Sequence, residues 1–159
     1  MGAGGYTAGV SHDYNPEWDY TIDKRPDPAV VAAVARAQAE LGLAASSLGL
    51  GEARIYYVKG LDRGHLARYV NGTDAEPVFV LDSRQLVRAA AKYELDMDTA
   101  LVPTLKHELA HAYLESAGVE SEEAEEVVER FASICWDQGD EIGVEWLKGW
   151  VEQESLRVG

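Results

Sequence analysis

The chain has 159 residues, 47% of them hydrophobic, which is enough to build one core in a single globular domain. Its 28 acidic and 14 basic residues give a formal charge of −14, which disfavours binding to nucleic acid or anionic membranes because both require a positive surface. The amino terminus lacks the features of a signal peptide, and no segment approaches the roughly 18 apolar residues of a membrane span, so we expect a cytoplasmic protein. A single cysteine, Cys135, excludes an internal disulfide.

Residues 1–26 are rich in Gly, Tyr, Asp and Pro without a regular period, which predicts a flexible or draped arm ahead of one domain at 27–159. The domain begins with a helix, because Asp27-Pro28 suits a first turn and apolar residues then recur at helical spacing as far as Gly42. Three β-type segments follow, separated by loops with Gly, Asn or Pro, at 54–58, 66–70 and 78–81. They predict a small, mostly antiparallel three-stranded sheet.

Four more helices are predicted beside or after the sheet, about five in all, so the expected fold class is α+β. The first of these four is capped by Asp82 or Ser83. The second begins near Asp98 with Pro103 in an early turn, or it begins at Pro103 itself. The last two are predicted at about 121–136 and 140–153.

The second of these helices carries the sequence HELAH at 107–111, which has the HExxH pattern of zinc-dependent hydrolases. Residues four apart lie one turn apart on the same helical face, so His107 and His111 can bind one metal ion. Glu108 lies beside the metal, where a general base is needed to take a proton from water. The pattern therefore predicts one zinc ion with Glu108 as the catalytic residue.

A catalytic zinc site takes three protein ligands and keeps a fourth position open, so the two histidines need a partner. No histidine follows His111 in the chain, and the only others, His12 and His65, lie upstream in loop-like segments. This excludes the zinc sites that use a later histidine. A carboxylate from the next helix is therefore expected, and that helix offers Glu122, Glu123, Glu125, Glu126 and Glu129.

Helical geometry ranks these acids. On a helical wheel Glu125 borders the apolar face, whereas Glu122 and Glu129 lie further from it. We predict Glu125 as the third ligand, and Glu129, one turn later, as a residue that hydrogen-bonds a ligand histidine. Glu122 and Glu129 stay open as alternative ligands. The predicted centre is a pair of helices, at 104–117 and 121–136.

The segment HELAHAYLESAG followed by EEVVERFA resembles the gluzincin-type minimal metallopeptidases, such as the ImmA/IrrE-like proteins and small phage or prophage HExxH proteins. The resemblance covers about residues 78–135 and implies a zincin-like minimal metallopeptidase fold. In these families a ligand Glu is followed one turn later by Asp or Asn. Glu125 and Glu129 match those positions, although Glu129 has a longer side chain than the family residue.

The resemblance also implies an activity and a mode of substrate binding. The activity is that of a zinc metalloendopeptidase acting on a peptide or protein, for example a regulatory protein such as a repressor. An edge strand beside the active helix, which would be Val78–Leu81 here, binds the extended peptide by strand addition.

Three questions stay open in the sequence. The protein could instead be a catalytically inactive, metal-stabilised interaction or regulatory module that uses the same cleft. His12 or Asp13 in the arm could occupy the open metal position. The reaction also needs a hydrogen-bond donor for the developing oxyanion, for which the candidates are Tyr56, Tyr57, Tyr69, Tyr93 and His65.

Overall fold

The structure is a computed structural model that describes residues 20–61, 65–70, 77–119 and 124–158. In these ranges the chain forms five helices and a four-stranded sheet, which confirms the α+β class. The helices are α1 (Pro28–Ser47), α2 (Ser83–Lys92), α3 (Met97–Ser116), α4 (Ala124–Gln138) and α5 (Asp140–Val158). The strands are β1 (Thr21–Ile22), β2 (Arg54–Lys59), β3 (Ala67–Val70) and β4 (Val78–Leu81).

The sheet has the order β1-β2-β4-β3 and is mixed, so the prediction of a mostly antiparallel three-stranded sheet is wrong. Strands β2 and β4 run parallel, with Arg54 opposite Val78 and Tyr57 opposite Leu81, while β1 and β3 run antiparallel to their neighbours. All four side chains of β4 are buried, whereas β3 carries the exposed Arg68. Burial therefore favours β4 in the interior of the sheet and β3 at its edge.

Strand β3 is the edge strand beside the helices, so the expectation that Val78–Leu81 has this role is wrong. The N–H of Asp82 donates to the Leu66 carbonyl at 2.9 Å, which fixes the direction of the backbone groups along the antiparallel pair. Along an antiparallel strand, residues that hydrogen-bond to the partner strand alternate with residues that do not, and Leu66 is one that does. Ala67 and Tyr69 therefore turn their N–H and C=O groups away from β4. These groups face α3, against which β3 packs.

Strand β1 lies in the segment that the sequence assigned to the amino-terminal arm. Thr21 pairs with Lys59 and Ile22 with Val58, so this part of the segment extends the sheet. The carboxylate of the buried Asp23 accepts a hydrogen bond from the Arg25 N–H at 3.0 Å, which stabilises the turn that follows. Residues 1–19 lie outside the described ranges, and so do His12 and Asp13.

Helix α1 begins as predicted and ends later than predicted. Asp27 caps it by accepting a hydrogen bond from the Ala29 N–H at 2.9 Å. The helix continues through Gly42, so the predicted stop there is wrong. The end comes one turn later, where Gly49 adopts a φ of 74°, a left-handed conformation that commonly follows a helix end.

Within the described ranges, α1 is the one helix long and apolar enough to cross a membrane by length and composition. The expectation that no segment approaches this limit is therefore wrong. Seven residues of α1 are buried in the core, namely Val30, Ala33, Val34, Ala37, Leu41, Ala44 and Ala45. On its outer side Arg36 forms an ion pair with Asp98 of α3 at 3.0 Å. The core helix of a soluble protein meets the same length and composition criteria.

Helix α3 carries the HExxH residues and begins near Asp98, the earlier of the two predicted starts. Asp96 caps it by accepting a hydrogen bond from the Thr99 N–H at 2.7 Å, and Pro103 lies inside the helix. One face of α3 is fully buried in the core through Leu101, Leu105 and Leu109. These residues are four apart, so they form a single stripe that fixes the rotation of the helix about its axis.

Helices α4 and α5 pack closely on each other. A methyl group on Gly143 would overlap the sulfur of Cys135, so a larger residue at this crossing would require the Cys135 side chain to move. Cys135 is 6% exposed, and burial raises the pKa of its thiol to about 12. A thiol with this pKa is neutral and poorly nucleophilic at neutral pH, as expected for core packing.

Lys106 links three helices next to the HExxH residues. Its side chain is buried, and its ammonium donates to Asp140 of α5 at 2.6 Å and pairs with Glu40 of α1. Burial acts to lower the pKa of Lys106, but the hydrogen bonds to the two carboxylates raise it above the ordinary value. Lys106 is therefore charged at neutral pH and connects α1, α3 and α5.

Replacing Lys106 with Met should lower the free energy of unfolding by about 1.5–3 kcal/mol, because a charge-assisted hydrogen-bond network is lost. Chemical denaturation at pH 7 measures this. The matched control Lys148→Met, at an exposed lysine of α5, should change stability by less than about 0.5 kcal/mol.

The difference between wild type and Lys106→Met should also depend on pH. The pKa of Lys106 in the folded protein lies above 10.5. Its contribution to the free energy of unfolding is therefore complete below pH 10.5 and is lost as the pH rises through the pKa of the folded state. Equal destabilisation by the Lys106 and Lys148 substitutions would contradict a structural role for the network.

Candidate metal centre

Helices α3 and α4 bring together His107, His111 and Glu125, the three predicted metal ligands. One nitrogen or oxygen of each side chain lies within 4.8 Å of the others. Glu125 Oε1 lies 2.8 Å from His111 Nε2, and Glu125 Oε2 lies 3.4 Å from His107 Nε2. The imidazole ring centroids are 5.0 Å apart. This group could hold a metal ion.

The burial pattern of the two helices explains why these side chains meet. The buried leucine stripe of α3 leaves His107 and His111 on the opposite side of the helix, where 26% and 25% of their side chains are exposed. In α4 the buried residues are Val127, Val128, Phe131, Ile134 and Cys135. Glu125 lies at the border of that face, with 65% of its side chain exposed, so an ion can reach the group from solvent.

The electrostatic environment favours the metal-binding form of His107. Burial lowers the pKa of His107, and the neighbouring His111 lowers it further, while Glu125 and Glu129 act in the opposite direction. The net effect is a lowered pKa. Because an imidazole binds a metal ion only when its ligand nitrogen is unprotonated, His107 is ready to bind at neutral pH.

Glu108 is held beside the ligands by the sheet. Its Oε1 accepts a hydrogen bond from the backbone N–H of Tyr69 at 2.6 Å. Burial raises the pKa of the Glu108 carboxyl to about 7; the Tyr69 hydrogen bond and the charge of Arg68 oppose this rise, and the charge of Glu125 adds to it. A carboxyl group with a pKa near 7 can both accept and return a proton at neutral pH.

Two cavities meet at His107 and Glu108. Both residues border each cavity, and His65 does so as well. The larger cavity, about 670 Å³, is also lined by Arg68, Tyr69, His111, Leu114, Glu115, Val119, Ala124 and Glu125. The smaller cavity, about 360 Å³, is also lined by Leu66, Ala67, Pro103, Thr104, Glu129 and Ala132. A cleft therefore extends to both sides of the HExxH residues along β3.

The remaining predicted ligands and supporting residues have different positions. Glu129 lies one turn after Glu125 and lines the smaller cavity near His107, on which its charge acts. The hydrogen bond that Glu129 is predicted to accept from a ligand histidine stays a prediction. Glu122 lies outside the described residues.

The five predicted oxyanion donors separate by position. Tyr56 and Tyr57 are buried in the two hydrophobic clusters on opposite faces of the sheet. Tyr93 follows α2, is 63% exposed, and has the Lys92 ammonium 5.3 Å from its ring centroid. Of the five, His65 and Tyr69 border the cleft.

Sequence reasoning missed two contributions to the site from β3. One is the backbone N–H of Tyr69, which carries no side-chain signature, and the other is the charge of Arg68 in the larger cavity. The segment ARYV interrupts its apolar residues with an arginine, whereas VFVL does not. That contrast is typical of an edge strand beside a central strand and could have identified β3.

The chain matches no protein-family model, no curated protein and no solved structure. The zincin-like fold and the metallopeptidase family therefore stay predictions, based on the HExxH motif and the downstream EEVVERFA segment.

Metal binding tests the grouping of the three ligands. Titrated with zinc, the wild-type protein should bind about one ion per chain. Removal of a residue that only hydrogen-bonds a metal ligand usually weakens metal binding by roughly 10- to 100-fold. His107→Ala and Glu125→Ala each remove a ligand, so they should weaken zinc binding by more than this. Isothermal titration calorimetry and metal analysis after dialysis measure these effects.

Two matched variants serve as controls. Glu126→Gln changes an exposed acid next to Glu125, and Glu108→Gln changes the acid next to His107, so both should bind zinc as the wild type does. Unchanged zinc content in Glu125→Ala would remove Glu125 from the metal centre.

Proposed function

We propose that the protein is a cytoplasmic, zinc-dependent metalloendopeptidase that hydrolyses bonds within a peptide or protein substrate. The observation that carries the proposal is the position of Glu108, which lies beside a His-His-Glu group and at the junction of two cavities. A closed structural metal site has no need for a half-buried carboxylate such as Glu108 beside its ligands. A hydrolytic site needs one as a general base.

The donor set fits zinc. Two imidazole nitrogens and one carboxylate oxygen are ligands that zinc takes in catalytic sites. Ligand atoms in a tetrahedral site with bonds of about 2.1 Å are separated by about 3.4 Å. The distance between His107 Nε2 and Glu125 Oε2 is 3.4 Å, which fits if Oε2 is the ligand; if Oε1 is the ligand, its distance of 2.8 Å from His111 Nε2 must widen. The Glu125 side chain, which is 65% exposed, has room for that movement.

In the proposed mechanism His107, His111 and Glu125 would hold the ion, which would act as a Lewis acid toward the carbonyl and lower the pKa of a water molecule. Glu108 takes a proton from the attacking water and gives it to the leaving amine. The Tyr69 N–H holds Oε1 of Glu108, which leaves Oε2 to accept the proton. The raised pKa of Glu108 suits this exchange.

The cleft suits an extended polypeptide. Ala67 and Tyr69 of the edge strand β3 turn their backbone groups toward α3, along the line on which the two cavities lie. The Tyr69 N–H donates to Glu108, so a peptide aligned with β3 would use the backbone groups of Ala67 by strand addition. Substrate side chains before the scissile bond then enter one cavity, and those after it enter the other. This arrangement favours cleavage in the interior of a polypeptide over removal of a terminal residue. Because the sequence resembles ImmA/IrrE-like proteins, the proposed substrate is a regulatory protein.

Cleavage of a peptide library by zinc-loaded protein tests the proposal. The wild type should cleave a subset of peptides, and Glu108→Gln should lower the rate by about 10²- to 10⁴-fold, the usual contribution of a general base. Mass spectrometry of the products measures the rates and cleavage sites.

The control Glu126→Gln should cleave at the wild-type rate, since Glu126 is an exposed acid next to Glu125 on α4. Zinc-loaded wild type that is as inert as Glu108→Gln across the library would contradict the enzyme and favour the inactive interaction module.

A further inference from the structure

The proposed reaction places negative charge on the carbonyl oxygen of the scissile bond. A fixed N–H or O–H donor near that oxygen stabilises the charge and usually contributes a large part of the rate enhancement. The Tyr69 N–H already donates to Glu108, so the donor must come from another group. It must also lie near the point where the scissile bond sits, between the two cavities.

His65 satisfies the positional requirement. Among the residues that the structure describes, three border both cavities, and His65 accompanies His107 and Glu108, which already have roles as ligand and base. His65 directly precedes Leu66, whose carbonyl accepts the hydrogen bond from the Asp82 N–H at 2.9 Å. The edge of the sheet therefore fixes the backbone next to His65.

The neighbouring donors have other positions or contacts. The ring of Tyr69 packs edge-on against Phe79 in the core, with centroids 6.1 Å apart and planes at 69°. Tyr69 and Arg68 both border the larger cavity, and neither is among the residues that border the smaller one. They therefore lie to one side of the junction.

We propose that His65 donates a hydrogen bond from its imidazole to the carbonyl oxygen of the scissile peptide bond as that oxygen becomes negative. The inference rests on the proposed function and adds a catalytic residue to it. An imidazole carries at least one N–H in either protonation state, so this role requires no change of charge on His65.

The step balances without a further reactant. The water oxygen forms a bond to the carbonyl carbon while Glu108 takes one water proton, and the electron pair of the carbonyl π bond moves to its oxygen. His65 donates a hydrogen bond to that oxygen and transfers no proton. When the C–N bond breaks, the electron pair returns to form the carbonyl, and the amine leaves with the proton from Glu108.

Kinetics of His65 variants test the proposal on the best-cleaved library peptide. His65→Ala should lower kcat by about 100-fold or more, the usual effect of losing one oxyanion donor, with little change in KM. His65→Gln should recover part of this loss because its amide can also donate. Tyr93→Phe, at an exposed tyrosine outside both cavities, is the control and should keep the wild-type kcat.

Binding supplies a readout that does not depend on turnover. A phosphinic analogue of the same peptide carries a tetrahedral anionic centre, so His65→Ala should weaken its binding by a factor similar to the loss in kcat. Binding of the uncleaved peptide, measured with Glu108→Gln and with Glu108→Gln/His65→Ala, should change less than about threefold. Calorimetry measures both affinities, and zinc content and thermal stability should match the wild type.

The outcomes separate this inference from the proposed function. If the wild type cleaves peptides and His65→Ala retains its kcat and its affinity for the phosphinic peptide, His65 is not the donor. A larger loss of kcat in Tyr69→Phe or Arg68→Gln than in His65→Ala also overturns the assignment. If the zinc-loaded wild type cleaves no peptide, the proposed function itself is contradicted, and the role of His65 with it.

Discussion

The packing of α3 among α1, α2, α4 and β3 is the constraint on which the candidate site depends. Its buried stripe of Leu101, Leu105 and Leu109 sets the rotation of the helix. Two separate sets of ion pairs connect α3 to its neighbours: Lys106 pairs with residues of α1 and α5, and Asp98 pairs with a residue of α1. With the rotation fixed, His107 and His111 point into the cleft on the opposite side of the helix, and Glu108 borders the same cleft. The ligands are thus positioned by the hydrophobic core behind them, a rigid support of the kind that a preorganised site requires.

Strand β3 makes the second contribution, because it adds backbone groups to a site otherwise built from helix side chains. The hydrogen bond from Tyr69 orients Glu108, and the same strand edge borders both cavities. This arrangement depends on β4 lying inside the sheet, since β3 reaches the edge only when β4 separates it from β2. The order of the strands therefore connects the fold to the proposed chemistry.

The local parts of this structure could be predicted from the sequence. Capping by Asp27, the strands near residues 54, 67 and 78, and the grouping of Glu125 with the histidines follow from turn chemistry and periodicity. Strand order could not be predicted, because pairing between β2 and β4 is a contact between segments far apart in the chain. The continuation of α1 past Gly42 could not be predicted either. Burial of the residues on both sides of Gly42 stabilises the helix by more than one glycine destabilises it through its low helix propensity.

The central claim is that two imidazoles and one carboxylate hold a metal ion and leave one position open. X-ray absorption spectroscopy of the zinc-loaded protein tests it most directly. A His-His-Glu site with one open position should show a shell of about four nitrogen or oxygen atoms at roughly 2.0–2.1 Å, with scattering from two imidazoles. In Glu125→Ala one protein ligand should be replaced or lost. A sulfur atom at about 2.3 Å, or three or more imidazoles around the ion, would contradict the account.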